Sequence, residues 1–370
     1  MGAPPAAAQS AAPNLEKAQA LLDAGRPDEA VPLLEAAVAG RPGDGLLLGG
    51  LASAYSAVGD SRAAATFERA IAAEPKNVAL QLALADHLWR LRQYEKGNTV
   101  LERAIAAAAD KPKLQAHYGV NLYEQRRFGP AARELEAARH GGFEDAEVYF
   151  FLGSSLWEIG RLDEAKLRLR EAVRRAPQNL AMRQRLARLL LLRGEAAEAV
   201  EELSVVVKLA PNSAEGIVNL GRALESIGKM AEAESAYRRG LELDPNLSVA
   251  HYMLGTLLAR TGRRGEAASH IAIYQRDFQK EQERNFRDAS LQAELNLGRT
   301  QLDSGDAKAA VVQFARHPEN VEALQGAAAA LSKLGRHAEA VEALEHALRL
   351  DPENRAVRYK LAREREKKKE

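Results

Sequence analysis

The chain of 370 residues has no cysteine. Disulfides, thiolate metal sites and a cysteine nucleophile are therefore excluded, while cytoplasm and periplasm both stay open as compartments. Aromatic residues are scarce at 5%, against 46% hydrophobic residues in all. A core made largely of Ala and Leu suits closely packed helices and not a β-sandwich, so the expected fold class is all-α. Neither sign of charge dominates, with 52 Lys and Arg against 51 Asp and Glu. The surplus positive field that drives counterion release from DNA or RNA is missing, and nucleic acid is not an expected partner. No apolar run approaches the roughly 20 residues needed to cross a bilayer, so membrane insertion is not expected either.

Chemistry-bearing motifs are missing as well. The eight histidines form no H-E-x-x-H and no pair three to five residues apart, which leaves a zinc site without support. There is no nucleophile elbow, no Walker loop and no kinase signature. Glu164, Glu198 and Glu232 recur in one register, but carboxylates at the start of a helix are explained by the helix dipole. No catalytic residue, metal ligand or cofactor is expected, and the chain does not read as an enzyme.

What is present is a repeating pattern, clearest from Ala146 to Asn179. Tyr149, Leu152 and Leu156, then Ala165, Leu169 and Ala172, recur three or four residues apart, so two helices each present one apolar stripe. Gly160 lies where the first must end, and Pro177 stops the second. Gly153 and Ala165 are small where the two would cross most closely. A hairpin of this kind cannot cover both of its sides.

The set Tyr149, Leu152, Gly153, Gly160, Ala165, Leu169, Ala172 and Pro177 resembles a tetratricopeptide repeat, the helix-turn-helix element of about 34 residues. The same template fits from Ala11, Gly45, Val78, Pro112, Ala146, Leu180, Ala214, Ser248, Leu291 and Val321, about ten repeats in all. The resemblance implies a right-handed α-solenoid in which each repeat buries its apolar side against the next. On this reading 1–13 is a disordered Ala/Pro tail, 14–281 holds repeats one to eight, 291–354 holds repeats nine and ten, and 355–370 is a solvating C-terminal capping helix. The tail's composition is similar to the linker that follows signal cleavage in exported bacterial proteins, and equally to an ordinary flexible start.

Two places break the regularity. From Glu266 to Leu297 there is neither Gly nor Pro, so helix B of repeat eight should run on into an irregular helical extension at 282–290. In repeat nine Pro318 arrives early, shortening that helix B. Repeats three and four carry Arg92 and Arg126 where the turn glycine belongs.

In this family the second, fifth, sixth, ninth, twelfth and thirteenth positions of helix A line a concave groove that takes peptides or partner proteins. The twelfth position is Trp89, Tyr123 and Trp157 in repeats three to five, and includes both tryptophans of the chain. Stacked repeats would align them as a ladder, widened by His117, Phe150 and Phe151; the same rings could instead pack between repeats. Two adjacent aromatics cannot point the same way, so at least one of Phe150 and Phe151 must leave the intra-repeat core. Arg185, Arg188, Asn219 and Arg222 occupy groove positions in repeats six and seven and would suit a ligand with apolar and acidic groups. The carboxylate clamp of chaperone-binding relatives is not matched, since only Asn219 fits its pattern.

Resemblance thus implies a non-enzymatic scaffold or adaptor that binds a partner protein or peptide segment in the groove. The alternative is a regulatory or substrate-presenting subunit of an enzyme or of a secretion or assembly complex, recognising its target near residues 275–320.

Overall fold

The computed structural model describes residues 16–108 and 111–368; the expected tail at 1–13 lies outside them. Every regular element among the described residues is a helix. In chain order these are α1 (16–23), α2 (Pro27–Gly40), α3 (Gly45–Val58), α4 (Ala63–Ala73), α5 (Val78–Arg90), α6 (Tyr94–Ala107), α7 (Lys111–Glu124), α8 (Phe128–His140), α9 (Ala146–Glu158) and α10 (Leu162–Arg175). They continue as α11 (Leu180–Leu192), α12 (Ala196–Leu209), α13 (Ala214–Ser226), α14 (Met230–Leu243), α15 (Ser248–Arg260), α16 (Arg264–Asp303), α17 (Ala307–Phe314), α18 (Val321–Lys333), α19 (His337–Leu350) and α20 (Arg355–Lys367). Odd-numbered helices up to α15 are the helices A and their even-numbered partners the helices B, so the molecule is built from an all-α solenoid of hairpins.

One hairpin shows why the sequence folds this way. The Asp145 carboxylate accepts from the Val148 N–H at 2.9 Å and caps α9. At the other end Gly160 takes φ 80°, and the Arg161 N–H reaches back to the Leu156 carbonyl at 2.8 Å, closing the last turn in the left-handed way that glycine tolerates. Asp163 and Glu164 sit in the first turn of α10 and Arg174 and Arg175 in its last, both favourable to the helix dipole. Leu152, Ala165, Leu169 and Ala172 are buried. A Cβ on Gly153 would lie 2.8 Å from Leu169 Cγ and 3.1 Å from the Ala165 carbonyl oxygen, so the two backbones approach as closely as hydrogen permits. The same turn recurs with positive φ at Gly194, Gly228, Gly262, Gly305 and Gly335, and at Arg92 and Arg126, with φ 58° and 60°.

Packing divides the described residues into two compact units, one running from 111 to 285 and the other combining residues up to 108 with those from 286 onward. In the first, the central unit, hairpins α7–α8, α9–α10, α11–α12 and α13–α14 stack in order, each helix B meeting the next helix A. The second, the composite unit, joins both ends of the chain. Its N-terminal core contains Leu34, Leu47, Leu51, Tyr55 and Val58 together with Tyr359 from α20. The expected C-terminal cap packs one face into this core and leaves the other, with Arg358 and residues 365–368, exposed. Val357, Tyr359, Leu361 and Glu364 are buried, and the helix contacts α2 and α3 as well as α19.

The segment 282–290 is not a separate element. Helix B of repeat eight and helix A of repeat nine fuse into α16, a single helix of 40 residues. With no Gly or Pro in the stretch, nothing supplies a left-handed turn to separate them. Residues 279–290 are exposed throughout. Beyond it, α17 has 8 residues where α14 has 14, ended ahead of Pro318.

Candidate functional site

The central unit carries all the helix A positions singled out by the sequence except Trp89, and their geometry splits them into sets. The first is aromatic. Tyr123, at the end of α7, meets Phe128 at the start of α8 with ring centroids 5.4 Å apart, and Phe151 of the next repeat at 5.3 Å. Phe151 in turn meets its neighbour Phe150 at 5.2 Å. All three contacts are edge-on, the arrangement favoured by the ring quadrupole and worth about 0.5–1.5 kcal/mol each beyond burial. Each of the four rings is half-buried, so the chain Phe128, Tyr123, Phe151, Phe150 both joins two repeats and keeps part of its surface open. The twelfth position of one repeat thus contacts the sixth of the next, not the next twelfth.

The second set centres on Trp157. It is half-buried at the end of α9, and its neighbours are guanidinium groups: Arg185 lies 4.1 Å from the ring centroid and Arg188 at 5.8 Å. Arg185 also pairs with Glu158 at 2.9 Å, so it is held over the indole and is not a free anion acceptor. Arg188 is exposed and Arg222 half-buried, and among the described residues neither has an ion-pair partner. Asn219, on α13 beside Arg222 in the sequence, is half-buried. His117, on α7, is half-buried, with its carbonyl accepting from the Asn121 side chain at 3.2 Å.

Trp89 stands apart. It belongs to the composite unit and is only 7% exposed. Its indole Nε1 donates to the Asn98 side-chain oxygen at 2.9 Å, and a Cβ on Gly97 would lie 2.6 Å from that nitrogen. The tryptophan is therefore sealed against its own helix B, and the reading of Trp89 as an open groove residue is corrected. The reason is local: Gly97 leaves room for the ring, and Asn98 satisfies a buried N–H that water would otherwise claim.

Sequence reasoning passed over two features. Phe128 was visible only as an aromatic two residues past the turn of repeat four. Tyr252, Tyr274 and Phe278 form a second run of rings, 4.9 and 6.0 Å apart, at the junction of α15 and the exposed part of α16. Tyr252 is 41% and Phe278 49% exposed. Among the described residues no group of three or more His, Asp or Glu is placed to hold a metal ion, and no helix is long and apolar enough to cross a membrane.

Family models described as tetratricopeptide repeat match residues 21–67 and 156–217, 50–112 and 119–166, 214–247, 248–272, and 321–364. Solved structures similar to this chain include YrrB, described as a TPR protein with an unusual peptide-binding site, at 18% identity and TM-score 0.46, covering 50% of this chain and 96% of that one. They also include MamA, at 20% identity and TM-score 0.41 over 45% and 96% of the two chains. A third, the MamA 41-end fragment from Desulfovibrio magneticus RS-1, has 23% identity and TM-score 0.43 over 45% and 95%. None of the curated proteins matches the chain.

Proposed function

The chain belongs to the tetratricopeptide-repeat family, and from that premise we propose that it is a non-enzymatic scaffold or adaptor that holds a segment of a partner protein on the helix A face of its central unit. The observation that carries this reading is the row of half-open rings running across two repeats, Phe128, Tyr123, Phe151 and Phe150. An aromatic patch anchored from below and open above is what an interaction hot spot requires. Arg188 and Arg222, on later repeats and without carboxylate partners, favour a segment that carries acidic residues after its apolar ones. The partner is thus an extended or helical peptide segment with an apolar anchor and an acidic flank.

Peptide selection on the purified full-length protein tests this. Selected sequences should combine an aromatic or aliphatic anchor with Asp or Glu, and Phe150→Ala with Trp157→Ala should weaken them by about tenfold or more at unchanged helicity. Trp89→Ala should lower stability and leave their affinity intact. Selected peptides that bind the double variant as tightly as the parent protein would remove the aromatic row from the function.

A second reading has its own observation. The exposed rings of Tyr252 and Phe278, stacked through Tyr274, lie at the start of the solvent-exposed stretch of α16. They suit a regulatory or substrate-presenting subunit that meets its complex at this irregular region, and protection of α16 instead of α9 by a bound partner would favour it.

A further inference from the structure

The composite unit contains a cavity that the groove reading leaves unused. The turn Gly59 to Arg62, helix α18 and helix α20 enclose about 390 Å³, within the range of about 300–1,000 Å³ typical of small-ligand sites. Its wall carries Arg62, Lys360, Arg363 and Lys367 against Asp60 and Glu364, and Glu35 pairs with Arg62 at 2.9 Å and with Arg363 at 3.8 Å, so cations outnumber carboxylates by one. Both carboxylates of the wall are already engaged. Asp60 accepts from Arg62 and from the Tyr359 hydroxyl, each at 2.7 Å, and pairs with Arg363 at 3.4 Å. Glu364 accepts from the Ser332 hydroxyl at 3.0 Å and from Lys367 at 3.1 Å, and pairs with His337.

Lys360 is different. Its ammonium donates to the Gln325 side-chain oxygen at 2.7 Å, and among the described residues it has no carboxylate partner within ion-pair distance. An ammonium has three donors, and a neutral amide oxygen answers one of them. Burial lowers the Lys360 pKa from the usual lysine value, with Asp60 acting in the opposite direction. A partly buried cation with a neutral partner beside an open volume favours an anion there, because charges withdrawn from water are stabilised by pairing.

We propose that this cavity binds a small anion free in solution, of the dicarboxylate or phosphoryl class, with the Lys360 ammonium as its principal counter-ion. The surplus positive charge sets the sign of the ligand's charge. The volume of about 390 Å³ sets its size at a small molecule and not a peptide strand. Ser61 lines the same wall and adds a hydroxyl.

Titration of the full-length, lysine-labelled protein with glutarate, with inorganic phosphate and with neutral glutaramide, followed by NMR of the lysine side chains, tests the assignment. The expected result is a saturable shift of the Lys360 resonance with one or both dianions and none with glutaramide. The stronger of glutarate and phosphate identifies the class. Calorimetry on Lys360→Met should show the dianion affinity reduced by about tenfold or more. The proposal falls if no dianion moves the Lys360 resonance at millimolar concentration, if glutaramide binds as well as glutarate, or if folded Lys360→Met protein binds undiminished. The comparison of glutarate with glutaramide uses the parent protein alone and holds even if the variant fails to fold.

Discussion

At the scale of single residues, the positions that decide the hairpins are those where a side chain is forbidden. A Cβ on Gly153 would lie 2.8 Å from Leu169 Cγ, closer than side chains pack, and tightly against the Ala165 carbonyl oxygen at 3.1 Å, so one of the two helices must shift to admit it. Gly153→Ala is expected to destabilise the central unit by about 1–3 kcal/mol, read as a lower denaturant midpoint. The converse case is Arg126, which holds φ 60° at a turn where the later repeats use glycine. A left-handed conformation costs a residue with a Cβ about 1–2 kcal/mol, so Arg126→Gly should raise stability by up to about 1 kcal/mol, the gain reduced by the greater freedom of glycine in the unfolded chain. Chemical denaturation of the two variants side by side checks both signs.

At the scale of elements, packing a repeat against its neighbour creates contacts that neither helix specifies alone. On α15 and α16, His251 Nε2 faces the Pro245 carbonyl oxygen at 3.0 Å, and His251 Nδ1 faces His270 Nδ1 at 2.8 Å. A carbonyl oxygen only accepts, so His251 donates from Nε2 and its Nδ1 is left to accept from His270. Burial, and then the neighbouring His251, lower the His270 pKa from its ordinary 6.5. Protons therefore favour the unfolded chain: stability is complete above the ordinary histidine value and declines as pH falls below it. Thermal unfolding at pH 7.5 and 5.5 should show a drop in midpoint that is smaller in His270→Gln. The outline of these elements was legible in the sequence, because the turn glycines and closing prolines mark one hairpin after another. The fusion into α16 was less so: a missing Gly or Pro says that a helix continues, not how far. Trp89 and Trp157 show the limit for the site. Both hold the twelfth position, yet Asn98 and Gly97 seal one indole while Arg185 covers the other, and a repeat template does not register those partners.

At the scale of the molecule, the feature a nearest-neighbour template cannot anticipate is the contact between the chain's two ends. The Tyr359 ring joins the N-terminal core, its hydroxyl donating to Asp60, while Arg62 pairs with Asp60 at 2.7 Å and with Glu35 at 2.9 Å. Arg355 adds an ion pair with Asp28 at 3.7 Å. Asp60 is the centre of this set, with a side chain only 9% exposed, whereas the arginines are partly solvated, so their separate pairings contribute little. Removing the shared carboxylate leaves the Tyr359 hydroxyl without its acceptor and two guanidinium groups crowded together. Asp60→Ala should therefore cost the composite unit about 1–3 kcal/mol. Hydrogen exchange on the intact protein is the direct measure. Amides of α20 and of the end of α3 should lose protection together in the variant, while those of α9 to α14 keep theirs. An α20 that exchanges equally fast in parent and variant would mean that the helix is held by α19 alone, and that Asp60 joins nothing across the chain.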